Sequence, residues 1–408
     1  MAIRVCICGA WYESKNAGDR AILMAIANLL ANRFQDIELT VFSNRPALTE
    51  KFMKPLKLEN LRIKAISQRY QFRQALQALH RADLFLVGGG TPIYEDRFHL
   101  LAFLLLVTVA RLSGVHVMTY AISARPIRDP VSRLLCRWIL RSIPLITVRE
   151  ASSISIIKEL LGDPSRHIEL YTDPVVTFRC PKAPLSAMLG EIVQKVSSGT
   201  TDLVAICPHV FSATNSYHVH HYEKFPPEAI DNYYTVLAKV CDRMSERARL
   251  LFLPMNAEDP DNDIVAIRSI QERMQHGQNS IAVTEEITPD QILTLLRSCR
   301  LVVGTRLHSL VFASVTRTPM IAISYGPKVE GFMGTLGLET HTLSFDGLDA
   351  DALWTAIDRV WNQSDQIRSH LAQRMTELEI LAAANADRAV TLVDPLPRRG
   401  TLRFQDQG

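Results

Sequence analysis

The chain has 408 residues, of which 47% are hydrophobic and 21% charged. That length exceeds one comfortable core and suits two domains, and the composition excludes a disordered or membrane-embedded chain. With 45 lysines and arginines against 42 aspartates and glutamates, and no run of five or six like charges, it does not read as a nucleic-acid protein. Any anion site must be assembled locally.

The chain opens on a strand, Ile3–Cys8, which places Cys6 and Cys8 on one face as a buried pair. The other cysteines (Cys136, Cys180, Cys207, Cys241 and Cys299) are scattered with no C-x-x-C pair, as expected where thiols stay reduced and serve as small core residues. The start lacks the apolar core and cleavage site of a signal peptide. The greasiest stretch, Leu100–Ala110, stops at Arg111 after about 11 residues, where a bilayer span needs roughly 20. It is read as a buried helix. The expected location is the cytoplasm.

Short β-branched runs then alternate with longer amphipathic segments, the α/β signature of doubly wound parallel sheets covered by helices. Strands are predicted at Glu38–Phe42, Arg62–Ile66, Leu84–Val87, His116–Ala121, Leu145–Val148 and Ile168–Leu170, with helices at Asp19–Arg33, Asp129–Arg141 and Ala151–Leu161. Pro174, Pro181 and Pro184 break this rhythm, so the first domain is placed at 1–180 and the second at 181–393. The second half predicts strands at Leu203–Cys207, Arg249–Leu253, Ile281–Val283, Arg300–Val303 and Met320–Ile323. Helices follow at Pro227–Arg247, Asp261–Gln275, Pro289–Ser298, Leu307–Thr316 and Val329–Leu336, then two long ones at Asp349–Asn362 and Gln366–Asp387. Residues 394–408 read as a frayed tail. Two such domains face each other across a cleft, with ligands at the carboxyl ends of the strands.

Candidate site residues fall at those strand ends. In Lys15–Arg20, Gly18 permits a tight turn and Asp19 is placed to cap a helix whose free N–H groups favour an anion; a simple capped turn is the plainer reading. Gly88–Gly90, closing a buried strand, implies close backbone approach, so Gly89 and Gly90 form either a nest of N–H groups or a packing crossover. This is not G-x-G-x-x-G, and no nicotinamide site is expected. Arg149 ends a strand beside a helix start and suits a carboxylate or phosphate, unless it merely pairs with Glu150. Asp173 either orients a cation or an active-site hydroxyl or, on the plainer reading, caps a turn.

The sharpest segment is Leu301–Ala313, where Gly304, Arg306 and His308 bring backbone donors, a cation and an imidazole to one strand-to-helix turn. Lys328 adds a second cation just beyond. Two clusters weigh less. His209, His218, His220 and His221 lack a partner set for zinc and read as a polar loop, and Asp259–Asp263 reads as a helix cap rather than a calcium loop. No metal is expected.

Taken together, Asn16–Ile22, Gly88–Gly90, Thr147–Glu150, Thr172–Pro174 and above all Val303–His308, continued by Pro319–Tyr325, Lys328, Gly331 and Leu336–Leu338, make the chain resemble the polysaccharide pyruvyl transferases. The resemblance implies a fold like the two-domain GT-B glycosyltransferases. It implies phosphoenolpyruvate as donor substrate, no further cofactor, and a pyruvate ketal formed across two hydroxyls of a surface-polysaccharide sugar, with release of phosphate. Arg149, Arg306, Leu307 and His308 would line the donor site, His308 as proton donor or phosphate ligand, with Asp19 or Asp173 as base for the sugar hydroxyl. The acceptor would be a glycan or a lipid-linked saccharide, the latter bringing the protein to the inner face of the membrane. One segment departs from the family pattern: Ser123–Pro126 stands where members commonly carry a Gly-Pro pair. A GT-B glycosyltransferase using a nucleotide sugar and a non-catalytic glycan-binding relative are the competing readings.

Overall fold

The computed structural model describes residues 2–9, 11–179, 184–199, 202–211, 225–277 and 280–393. The histidine loop with His218, His220 and His221, together with Cys180 and the 394–408 tail, lies outside the described residues.

The first unit threads β1 (Ile3–Cys8), α1 (Ala17–Ala31), β2 (Ile37–Phe42), α2 (Pro46–Met53), β3 (Leu61–Ile66), α3 (Phe72–Arg81), β4 (Leu84–Gly88), α4 (Arg97–Leu112), β5 (His116–Tyr120) and α5 (Pro130–Ser142). Its five strands run parallel in the order β3-β2-β1-β4-β5. Beyond them come β6 (Thr147–Val148), α6 (Ala151–Leu161) and β7 (Glu169–Leu170), with Leu145 and Val148 bridging to Met118 and Ile122 at the sheet's edge. A 3-10 turn at Pro174–Thr177 and α7 (Ala187–Ser197) lead onward.

The second unit comprises β8 (Leu203–Cys207), α8 (Pro227–Met244), β9 (Arg249–Phe252), α9 (Asp263–Gln271), β10 (Ser280–Ala282), α10 (Pro289–Arg297), β11 (Leu301–Gly304), α11 (Leu307–Thr316), β12 (Met320–Ser324), α12 (Pro327–Leu336) and β13 (Thr342–Ser344). Its parallel order is β10-β9-β8-β11-β12-β13. The short edge strand β13, half-buried and poor in β-branched residues, gave no strand signal in the sequence. In both sheets the winding reverses beside the first strand, between β1 and β4 and between β8 and β11. Loops at such a reversal splay apart and leave a crevice at the strands' carboxyl ends.

Two helices close the chain, α13 (Ala350–Asn362) and α14 (Ser364–Val393). The sequence assigns both to the second unit, but α14 runs back across the seam. Its apolar stripe through Leu371, Leu378, Ala386 and Val393 is buried, and its far end binds the first unit through Arg388–Glu169 (2.8 Å) and Asp387–Arg33 (2.6 Å). One continuous apolar core therefore spans both sheets, while a second fills the face of the first sheet under α3, α4, α5 and α6. Cys6 and Cys8 are buried in that second core. The expected buried helix at Leu100–Ala110 is buried on one face only: within α4, Leu100, Phe103, Leu106, Val107 and Ala110 point inward, whereas Leu101 and Leu105 are exposed. Among the described residues no helix is long and apolar enough to cross a membrane.

Candidate active site

The loop after β1 and the loop after β9 meet across the seam and fix each other. Asn16 pairs with Asn256 in an antiparallel bridge, Ala17 N donates to Met255 O (2.9 Å), and Lys15 N donates to a Glu258 carboxylate oxygen (2.9 Å). Arg20, almost wholly buried, reaches across to Glu286 at 2.7 Å. Between them opens a cavity of about 480 Å³, lined from the first unit by Glu13, Asp19, Gly90, Tyr94, Arg125 and Arg149 and from the second by Asp261, Arg306, Leu307, His308, Tyr325 and Lys328.

The cap of α1 departs from expectation. Asn16 accepts from the N–H groups of Gly18 (2.9 Å) and Asp19 (3.4 Å), so the helix begins two residues earlier and Asp19 is not the cap. An Asn side chain in extended backbone satisfies the orphan donors as well as Asp does. Asp19 instead sits in the first turn at the cavity wall. Burial raises its carboxyl above the ordinary range, a shift that His308 and Arg149 oppose without cancelling. Gly18 lies directly against His308: a Cβ built there would stand 2.0 Å from the imidazole Nδ1. The glycine is required for the approach of a side chain from the other unit, not for a turn.

Gly89 and Gly90 divide between the two expected roles. Gly89 has φ of +59°, gives its N–H to Tyr120 O (2.8 Å) and would drive a Cβ to 2.1 Å from Ile22, so it is a packing crossover and not a ligand contact. Gly90, also at positive φ (+62°), lines the cavity.

Arg149 does not pair with Glu150, which accepts instead from Ser153 Oγ (3.0 Å). The guanidinium turns inward, donates through Nη1 to Asp173 Oδ2 and through Nε to Ser123 Oγ (2.8 Å). The segment that departs from the family pattern thus supplies both an anchor, Ser123, and a further cation, Arg125, on the cavity wall. Asp173 heads the 3-10 turn that packs among α1, α11 and α14. Its Oδ1 accepts from Val175 N (3.0 Å), and its Oδ2 lies 3.5 Å from His308 Nε2. Burial alone would raise the Asp173 carboxyl, but Arg149 and His308 outweigh it and hold it below the ordinary carboxylate range. A carboxylate so held is a weak base. It suits orienting an imidazole and stabilising its charge better than taking a proton from a hydroxyl.

Arg306 is the N-cap residue of α11, with the helix proper starting at Leu307. Its Nε contacts both carboxylate oxygens of Asp263 (3.0 and 3.2 Å), and Nη2 donates to Asp263 Oδ1 (2.8 Å) and Asp261 O (2.7 Å). Burial disfavours the guanidinium charge, but Asp263 and Asp261 outweigh it. Asp263, expected only as part of a helix cap, is fully buried; Asn262 caps α9 instead. It also accepts from the N–H groups of Met255 (3.1 Å), Asn256 (2.9 Å) and Val210 (3.3 Å), tying the cation to three backbone segments. His209, fully buried beside it and ringed by Arg306, Lys328 and Arg125, is pushed well below its ordinary pKa by burial and then by those cations, so it is neutral. Lys328 opens α12. Burial, with Arg125, Arg149 and Arg306 nearby, pulls its ammonium down to about 7, against an opposing pull from Glu150.

The predicted residues Asp19, Gly90, Arg149, Arg306, Leu307, His308 and Lys328 therefore line one cavity, with Asp173 and Gly18 directly behind His308. Sequence reasoning missed Asp263 and Arg125. Arg125 carried a signal, a charged residue shortly after the carboxyl end of β5, whereas Asp263, at the start of α9, lay in an acidic run that read as a cap. Among the described residues no cluster of three or more His, Cys, Asp or Glu is placed to hold a metal ion. The arrangement suits a small, highly charged anion, with four cations, an imidazole backed by a carboxylate, and a carboxyl of raised pKa facing one space.

A family model described as polysaccharide pyruvyl transferase matches residues 16–327, from the cap of α1 to the start of α12. The amylovoran biosynthesis protein AmsJ of Erwinia amylovora is 28% identical over 121 residues, which is 30% of this chain and 29% of that protein, so the match spans under a third of that relative's length. The crystal structure of Anabaena HepE in complex with UDP-glucose superposes with a TM-score of 0.60 at 11% identity, covering 96% of this chain and 99% of that one. Trehalose-6-phosphate synthase OtsA gives a TM-score of 0.60 at 9% identity, covering 97% and 99%. At such identities the likeness is one of fold: two Rossmann-like units of the GT-B type.

Proposed function

The chain belongs to the polysaccharide pyruvyl transferase family, and on that premise we propose that it transfers the three-carbon unit of phosphoenolpyruvate onto two hydroxyls of a polysaccharide sugar, closing a pyruvate ketal and releasing phosphate. The observation that carries this reading is the Arg149–Asp173–His308 relay standing beside Arg306, Arg125 and Lys328 in one cavity. Phosphoenolpyruvate presents a carboxylate and a phosphate on three carbons, and four converging cations are the complement of that charge.

The chemistry assigns each group a task. His308 gives a proton to the methylene carbon, leaving C2 electron-poor, while Asp173 behind it stabilises the imidazolium before transfer. Asp19, whose raised carboxyl is a better base than Asp173, takes the proton of the first sugar hydroxyl as its oxygen bonds to C2. The C2–O bond to phosphate breaks with the arginines and Lys328 holding the departing charge, and a second hydroxyl of the same sugar closes the ring, its proton passing to the imidazole of His308, which is thereby restored, while Asp19 yields its proton to the departing phosphate. The enol phosphate becomes a ketal and no redox change occurs. AmsJ's name, an amylovoran biosynthesis protein, supports an exopolysaccharide as the product's destination.

The test is phosphate release from phosphoenolpyruvate against a panel of free and lipid-linked glycans, run beside carbon-labelled phosphoenolpyruvate and labelled nucleotide sugars. Label entering the glycan from phosphoenolpyruvate is expected; label arriving only from a nucleotide sugar would establish the glycosyltransferase reading instead.

A further inference from the structure

Among the described residues, fourteen large apolar side chains stand exposed, and seven of them lie on α4 and α5, so they are concentrated and not scattered. On α4 they are Phe98 (87% exposed), Leu101, Leu105 and Leu112, and on α5 Val131, Leu134 and Trp138. Steps of three, four and seven residues put each set on one helical face, opposite the residues that bury against the first sheet. The two helices pack side by side, and together they contain five arginines and neither aspartate nor glutamate. Arg97 and Arg133 pair with Asp129 and Glu159; Arg111 and Arg141 stand exposed near the helices' far ends, Arg141 also donating to Leu161 O (3.4 Å). The nearby acids Glu95, Asp96 and Asp129 all accept backbone N–H groups at the helix starts.

We propose that the outer face of α4 and α5 docks on an anionic lipid bilayer. Apolar residues with aromatics among them would enter the headgroup boundary while the arginines meet the lipid phosphates. A second copy fits poorly. A two-fold contact would lay this face on itself, arginine against arginine with no carboxylate on either helix. The docked face also adjoins the site. Gly90, Thr91 and Tyr94, just before α4, and Arg125, just before α5, line the active-site cavity. A small side cavity shares Trp11, Glu13 and Asn44 with it and is walled by His99, Phe103 and Leu106 of α4. Docking would thus hold the cavity mouth at the membrane surface, where a saccharide on a lipid carrier is presented. Only this last step rests on the pyruvyl-transfer reading.

The experiment is co-sedimentation of the full chain with phosphatidylcholine vesicles, with and without phosphatidylglycerol. Binding is expected to the anionic vesicles, to weaken with salt, and to fall roughly tenfold or more in Phe98→Ser/Trp138→Ser and, separately, in Arg111→Glu/Arg141→Glu. Both variants should keep the parent's thermal midpoint and its turnover of phosphoenolpyruvate on a soluble acceptor. The second pair, being charge changes at exposed positions, serves if the first perturbs folding. A chain that stays in the supernatant with anionic vesicles overturns the proposal, as do variants that bind like the parent or a parental dimer that Phe98→Ser/Trp138→Ser dissolves. Vesicle binding without any phosphoenolpyruvate turnover would sink the pyruvyl-transfer reading and uphold this one.

Discussion

His308 and Arg306 are two residues apart, yet their surroundings give them different work. Arg306 is fixed by three contacts to Asp263 and one to Asp261, so its charge is permanent and its position set. His308 has one carboxylate at its Nε2, Gly18 against its Nδ1, and a place in the cavity wall. His308→Ala is therefore expected to leave donor binding, measured by calorimetry, within a few-fold of the parent while turnover falls by roughly 100-fold or more, the usual weight of a general acid; a variant of parental turnover would remove the imidazole from the chemistry. Burial and the neighbouring arginines pull the Lys328 ammonium down to about 7. A bound anion reverses that preference, so donor affinity should weaken as pH rises through about 7. In Lys328→Met that dependence should flatten, leaving only the donor's own titration; identical pH profiles for the Michaelis constant of the two proteins would count against a Lys328 contact. These residue types were legible in the sequence because each follows a strand end. Their pairings were not. Asp263 was hidden in an acidic run that looked like a cap, and the Asp173–Arg149 pair joins residues 24 positions apart through a turn that no local pattern encodes.

At the scale of elements, the start of α1 carries the most information. Asn16 accepts two N–H groups and also bridges to Asn256, so Asn16→Ala should cost about 1 kcal/mol for the lost cap, read by chemical denaturation, and more if the bridge loosens. Gly18→Ala separates stability from activity. Alanine is the better helix former, but its methyl would occupy the imidazole's place. We expect turnover near that of His308→Ala with a stability change of no more than about 3 kcal/mol, the range for overpacking; near-parental turnover would show that His308 can work elsewhere. Strands and helices were read well where their apolar period was strong, and least well at their starts, where a single side chain chooses between neighbouring caps. β13 shows the limit, since two half-buried residues and an exposed one leave no sequence trace and are ordered by β12 beside them.

For the whole molecule, α14 is decisive. Thirty residues of helix cross from one unit to the other, burying an apolar stripe on the way and ending in ion pairs with the first unit. The two sheets share a core through this helix, so thermal unfolding should follow a single transition, with calorimetric and van't Hoff enthalpies agreeing. Two resolved transitions would mean that the units melt apart. Leu371→Ala should lower stability by about 2–5 kcal/mol without splitting the transition. The α/β class and the paired sheets could be read from alternating β-branched and amphipathic runs. The return of the last helix could not, because its stripe records that it is covered, not by what.

The bare α-carbon of Gly18 has one more consequence. An imidazole from one half of the protein leans on it, and the carboxylate that steadies that imidazole belongs to the other side of the seam. If the halves part to admit a bulky glycan, the proton donor leaves its seat and loses its counterion in the same motion. An enol phosphate waiting in the parted protein would then meet no poised acid, and water could not be mistaken for the sugar. Reactivity would return only on reclosure, so on the proposed chemistry the clasp that joins the halves would also guard the timing of the reaction.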